Sequence, residues 1–191
     1  MRVLAIDPGN TMSAWCVVSN GVPIMFDKVP NASVLRMLRT VWLPGAGSDA
    51  SIPDLLAVEG IASYGMAVGK EVFDTCRWIG RFEEAWDQSG RAFSLIYRKD
   101  VKQFHCGTTR ANDANIRAAL IDRFGPGREK AVGTKRAQGQ LYGIKGDEWS
   151  ALAVALTAEA ALAPSPQTCS HRARPVHGRW HDSAFLVESS P

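Results

Sequence analysis

The 191-residue chain lacks several features that would place it at once. No apolar run approaches the roughly 18 residues that a membrane-spanning helix needs, so no membrane partner is expected. The opening MRVLAIDPG reads as a strand and not as a leader, because one Arg and a short apolar stretch end in Asp7. The four cysteines, Cys16, Cys76, Cys106 and Cys169, include no CxxC pair, which argues against a zinc ribbon or a dithiol motif and for buried free thiols. His105, Cys106, Cys169, His171, His177 and His181 fit no zinc-ligand spacing. No GxxxxGKS/T phosphate loop is present, and no internal repeat. A reducing, cytoplasmic compartment is the expectation.

What is present fits one globular domain: 46% hydrophobic and 21% charged residues, in a chain long enough to bury a core without staples. The net charge of +3 hides an uneven distribution. Residues 1–90 and 146–191 carry an excess of acids, whereas residues 91–145 carry twelve Lys/Arg against four Asp/Glu. A basic middle between acidic flanks suits a polyanion held beside carboxylates, and equally a solvated face that binds nothing.

The apolar segment VLAI ends at Asp7-Pro8-Gly9-Asn10, a turn signal, and Asn20-Gly21 marks a hairpin between MSAWCVVS and VPIMFDKV. Three antiparallel strands result. Asn31 or Ser33 is positioned to cap a short helix over VLRMLRTVW, and a Gly/Ser/Pro-rich loop follows. DLLAVEGIA reads as a fourth strand. Val68, Val72, Cys76, Ile79 and Trp86 form one helical stripe over 68–88. AFSLIY is a fifth strand, DVKQFHCG a short helix or turn, and Asn112-Asp113 the start of a helix over ANIRAALIDRF. Residues 125–146, with six glycines, read as a long basic loop. A last helix of strong helix formers follows Asp147, and residues 164–191 read as a poorly ordered tail in which Trp180, Phe185 and Leu186 are the residues able to dock. The predicted architecture is one α/β domain over 1–163: a mixed five-stranded sheet, antiparallel in strands one to three and parallel in four and five, with helices on both faces.

Three acids stand at the ends of strongly apolar elements: Asp7, Glu59 and Asp147. An acid at the end of a buried strand is costly unless it is paired or holds a metal. Clustered carboxylates with no His or Cys nearby favour Mg²⁺ or Mn²⁺, which can promote phosphodiester hydrolysis. Each also has an ordinary explanation: Asp7 as a turn former, Glu59 as the partner of a neighbouring Arg, Asp147 as a helix cap.

In order along the chain, Asp7-Pro8-Gly9 with its hairpin, VEG at 58–60 and GDEWSALAVAL at 146–156 resemble the motifs of RuvC-type Holliday-junction resolvases, nearer the shorter phage-type members. The resemblance covers roughly residues 1–160. It implies a ribonuclease H-like fold and a homodimer, in a bacterial or phage-infected cell, that cuts branched DNA with Mg²⁺ and leaves a 5′-phosphate and a 3′-hydroxyl. It also implies metal ligation by Asp7, Glu59 and Asp147. The chain departs from the pattern at Ser150, where the family often has a fourth acid. Glu148 is the nearby substitute, though it points about 100° from Asp147 on a helix. Asp113 stands where the family often has Lys, with Arg110 as the alternative cation. The DNA-binding candidates are Lys99, Lys102, Arg110, Arg128, Lys130, Lys135, Arg136 and Lys145, with Tyr142 available to stack on a base or simply to pack.

Two other functions stay open. Without its fourth acid the protein could bind junctions without cutting them. An actin-like ATPase also opens with a strand, an acid and a hairpin, but needs two such lobes and a longer chain.

Overall fold

The protein, as a computed structural model, is described at residues 1–42, 52–63, 65 and 67–162. Most of the loop after the first helix, Tyr64 and the expected tail at 164–191 lie outside the described residues. In chain order the elements are β1 (Arg2–Asp7), β2 (Met12–Ser19), β3 (Val22–Pro30), α1 (Asn31–Thr40), β4 (Leu55–Gly60), α2 (Lys70–Asp87), β5 (Ala92–Tyr97), α3 (Arg98–Cys106), α4 (Asp113–Phe124), α5 (Arg128–Ala131) and α6 (Glu148–Leu162). None of the described helices is long and apolar enough to cross a membrane.

The strands form one mixed sheet in the order β3-β2-β1-β4-β5. β1 to β3 are antiparallel neighbours, and β1, β4 and β5 run parallel. The β2–β3 turn takes the left-handed backbone at both Asn20 (φ 49°) and Gly21 (φ 79°), as a two-residue hairpin requires. Alternation sends Val3, Ala5, Cys16, Leu55 and Ala57 to one face, under α3, α4 and α6. Leu4, Ile6, Trp15, Leu56 and Val58 face α1 and α2 on the other side. With both faces covered, β1 and β4 read as unbroken apolar runs.

Helix α6 is the centre of the first layer. Every residue from Ala151 to Ala158 is buried, and its alanines let it lie close over β1 and β2. An apolar surface all round suits such an embedded helix.

The structure corrects four local expectations. In α2 the buried residues are Thr75, Ile79, Phe82, Ala85 and Trp86; Val68 precedes the helix, and Cys76 is exposed. Phe82 and Trp86 bury far more apolar area than a thiol, so they set the helix rotation, and Trp86 Nε1 donates to the carbonyl of Ala92 (2.9 Å). Buried thiols therefore hold for Cys16, in part for Cys106, and not for Cys76.

The segment 125–146 is not an extended loop. It contains α5 and a bridge between Gly133 and Gln138, and Leu141 N–H donates to the carbonyl of Ala131 (2.8 Å). A Cβ at Gly139 would meet backbone oxygens at 2.3 Å, so only glycine permits this close approach. The helix that the sequence starts at Asn112-Asp113 and runs over 114–124 does begin there, by contrast: α4 is capped by Asn112, which forms a reciprocal capping box with Asn115.

Asn31 is not a side-chain cap either. Pro30 occupies the cap position of α1, and Asn31, 1% exposed, reaches back to the turn after Asp7. Its Nδ2 donates to the carbonyl of Gly9 (2.9 Å), and its Oδ1 accepts from the Ser13 hydroxyl (2.7 Å), which itself accepts from Gly9 N–H (3.4 Å). A Cβ at Gly9 would meet the carbonyl oxygen of Met12 at 2.4 Å. The Asp-Pro-Gly turn is thus fixed by a buried polar network. Asn31→Ala removes the donor to the Gly9 carbonyl and the acceptor of the buried Ser13 hydroxyl, and should lower unfolding stability by about 1–3 kcal/mol. Urea titration measures this, and a loss below about 0.5 kcal/mol contradicts the role.

Candidate active site

The β1–β4 pairing runs from Val3↔Leu55 to Ile6↔Val58, so one step further Asp7 lies beside Glu59. Both stand at the C-terminal ends of adjacent parallel strands, where α/β sheets commonly build their sites. Alternation puts both side chains on the α6 face, because Ala5 and Ala57 point there. Glu59 is 9% exposed and Asp7 partly buried. The third acid arrives from above, as Asp147 immediately precedes α6, with its carbonyl accepting from the N–H groups of Ser150 and Ala151.

This crowding has an electrostatic cost. The Asp7 carboxyl is held up from an ordinary 3.8 to about 8. Burial is the first cause, followed by the Glu59 charge, a hydrogen bond with Glu59 and the Asp147 charge, while Arg98 acts in the opposite direction. Asp7 is therefore mostly protonated at neutral pH when only protein surrounds it.

Two cations offset the remaining negative charge. Lys28 Nζ lies 2.5 Å from Asp147 Oδ2, and this hydrogen bond raises the lysine's proton affinity. Arg98 Nη1 lies 3.2 Å from Glu59 Oε1, and the same guanidinium pairs with Asp113 through Nη2.

Both cations were missed by sequence reasoning, although the sheet register locates them. Lys28 pairs with Ala14, which pairs with Asp7, so one row crosses the sheet from Lys28 to Asp7. Arg98 follows directly on β5, the strand beside Glu59, and was the neighbouring Arg that a paired Glu59 requires. Arg110, the expected cation, is exposed on the α3–α4 connection, and the site cation bonded to Asp113 is Arg98.

Among the described residues no three His, Cys, Asp or Glu side chains already stand close enough to hold an ion. The Asp7–Glu59 pair is formed, whereas the Asp147 carboxylate is turned to Lys28. The chemistry of the set nevertheless fits a hard divalent cation: oxygen donors alone, buried and crowded enough that one keeps its proton.

Glu148 does not join the pair. It is 2% exposed, and its Oε2 accepts from Lys145 N–H (2.9 Å), closing the turn ahead of α6. Its charge is felt instead by Cys16, whose thiol is pushed up to about 12 by burial first and Glu148 second.

Beside the acids opens a cleft of roughly 350 Å³, walled by Arg98, Asp113, Arg117, Asp147, Trp149 and Ser150 among others. Arg117 stacks on Trp149, its guanidinium carbon 4.7 Å from the ring centroid.

No family model and no curated protein matches the chain. Solved structures do. The Thermus thermophilus RuvC structure aligns with a TM-score of 0.58 and 20% identity, over 84% of this chain and 97% of the other. T. thermophilus RuvC in complex with Holliday junction substrate aligns with a TM-score of 0.61 and 18% identity, over 84% and 94%. The fold is RuvC-like.

On this RuvC-like fold the remaining basic candidates are spread out. Lys99 and Lys102 lie on α3, and Lys145 sits two residues before Asp147. Arg128 and Lys130 lie on α5, which packs against α4, one helix removed from the cleft. Lys135 and Arg136 are exposed at a tight turn closed by hydrogen bonds between Thr134 and Ala137, and Tyr142 is partly buried.

The raised Asp7 predicts a pH dependence. Its folded-state pKa exceeds its unfolded one, so its favourable contribution is full below about 4 and is lost as pH rises towards about 8. Metal-free protein should therefore lose stability across that window, by up to roughly 1.4 kcal/mol per unit of pH. Asp7→Asn should flatten the slope and raise the melting temperature at pH 7.5. Parallel pH profiles for the two proteins would contradict the assignment.

Proposed function

We propose that this protein is a metal-dependent endonuclease that hydrolyses phosphodiesters in branched DNA, Holliday junctions or related structures, leaving a 5′-phosphate and a 3′-hydroxyl. The observation that carries the reading is the Asp7–Glu59 pair, two carboxylates at the aligned ends of adjacent parallel strands, whose burial and mutual charge raise Asp7, with Asp147 near enough to act on Asp7. Proteins seldom keep such a pair for stability alone, because the arrangement opposes folding. The RuvC-like fold, with one neighbour solved on a Holliday junction substrate, supports branched DNA as the substrate class.

Asp7, Glu59 and Asp147 would hold Mg²⁺, with Mn²⁺ as a substitute. An ion bound there supplies concentrated positive charge to the phosphate and assists attack by water. The protein's own part is positioning. Glu59 is fixed by β4 and by Arg98, Asp7 by the Asn31–Ser13 network behind its turn, and Lys28 holds Asp147 until a stronger cation competes for it. The basic residues on α3, on α5 and around Lys135 and Lys145 neutralise DNA phosphates, so binding should weaken steeply with salt. Two copies acting together would address two strands of one junction.

Ser150 favours a second reading, junction binding without cleavage, since the α6 side of the cleft lacks a second free carboxylate. Labelled four-way, three-way and flap DNAs incubated with Mg²⁺ or Mn²⁺ decide between the two. The nuclease reading expects cleavage by the native protein. It also expects Asp7→Asn to lose at least about 10³-fold in rate while junction affinity stays within about threefold. Binding with no product in either metal selects the second reading, and equal cutting by Asp7→Asn removes the mechanism.

A further inference from the structure

The ligand set is lopsided. On the sheet side Asp7 and Glu59 stand together, but on the α6 side the position three residues past Asp147 carries the neutral hydroxyl of Ser150, which lines the cleft. Glu148, the other acid at the start of α6, is buried and committed to Lys145 N–H. Two divalent ions in one site need carboxylates free on both walls, whereas the two acids that line the helix wall, Asp147 and Asp113, are each engaged by a cation, Lys28 and Arg98.

The cleft instead presents a guanidinium. Arg98 bonds Glu59 through Nη1 and Asp113 through Nη2, so carboxylates from two different elements grip it. Such a double grip fixes both the position and the plane of the group. A guanidinium has five N–H donors, and this clamp leaves some of them available to an oxyanion in the cleft that Arg98 lines. A mere counter-ion to Glu59 would have no need of Asp113.

We propose that Arg98, clamped between Glu59 and Asp113, contacts the scissile phosphate and supplies the positive charge that a second divalent ion would otherwise supply, so that each site works with one ion. The inference rests on the nuclease reading above. In the step it serves, a water oxygen bonds to phosphorus and the bond from phosphorus to the 3′-oxygen breaks. That oxygen leaves with the electron pair and takes up a proton, and the proton lost by water passes to solvent. Arg98 stays protonated throughout and contributes charge and geometry, since a guanidinium does not act as an acid near neutral pH.

The test uses the full chain with two independent readouts. The first is Mn²⁺ titration of metal-free protein in the presence of an uncleavable four-way junction, corrected for binding to the junction alone. One ion per chain is expected, in the native protein and in Arg98→Ala alike. The second is single-turnover cleavage. Arg98→Ala should lose about 10²-fold or more in rate, with junction affinity within about threefold, and Arg98→Lys should fall between, having charge without the fork. Free guanidinium at millimolar concentration should restore part of the Arg98→Ala rate, which a structural lesion would not allow.

Two ions per chain in the native protein overturn the inference and leave the nuclease reading intact. So does undiminished cutting by Arg98→Ala, or a rate loss that guanidinium does not restore. Absence of cleavage by the native protein in either metal overturns the nuclease reading itself, and the inference with it.

Discussion

Two facts of strand geometry force the central feature of this molecule. Parallel pairing sets β1 and β4 in a register that aligns Asp7 with Glu59, and alternation turns both carboxylates to the same covered face. Burial first, and the charge of Glu59 second, make Asp7 keep its proton far above the ordinary carboxylate range. The surroundings are arranged around that pair. Arg98 approaches from the end of β5, Lys28 lies along the same row of the sheet through Ala14, and a buried Asn31–Ser13 network fixes the turn that follows Asp7. Helix α6, apolar on all sides, brings Asp147 over the pair, packed on a sheet face where Ala5, Ala14 and Ala57 leave room for its close approach.

Much of this was legible in the sequence, for identifiable reasons. Short apolar runs ending in turn residues located the strands, Asn20-Gly21 fixed the hairpin, and Asn112 marked the start of α4. Asp7, Glu59 and Asp147 stood out because each ends or opens an element whose other residues are apolar. What stayed hidden depends on pairing between distant segments. Lys28 and Arg98 look like ordinary surface cations until the sheet register sets them beside the acids. Asn31 has the residue type of a helix cap, and only the proximity of Gly9 and Ser13 shows its actual partners. The rotation of α2 was misjudged because a pattern of apolar letters gives a thiol the same weight as Phe82 or Trp86. In 125–146, many glycines suggested an open loop, whereas two of them, Gly133 and Gly139, serve a close backbone approach within a folded segment.

The site differs from a symmetric two-ion centre in the balance of its charges. Glu148 is spent on the turn before α6, Ser150 is neutral, and guanidinium groups from Arg98 and Arg117 enter the same cleft as Asp147. The groups that set this balance lie on helices that pack over the sheet and not within it: Arg98 on α3, Asp113 on α4, and Glu148 and Ser150 on α6. Charge can therefore be redistributed around a fixed carboxylate pair, and the fold sets where chemistry happens more firmly than which groups perform it.

The most direct measurement of the central claim is anomalous diffraction from crystals soaked in Mn²⁺. The account predicts an ion within roughly 2.0–2.3 Å of carboxylate oxygens of both Asp7 and Glu59, with Asp147 turned away from Lys28 towards it. A pair still joined by its hydrogen bond, with Mn²⁺ bound elsewhere or not at all, would contradict it.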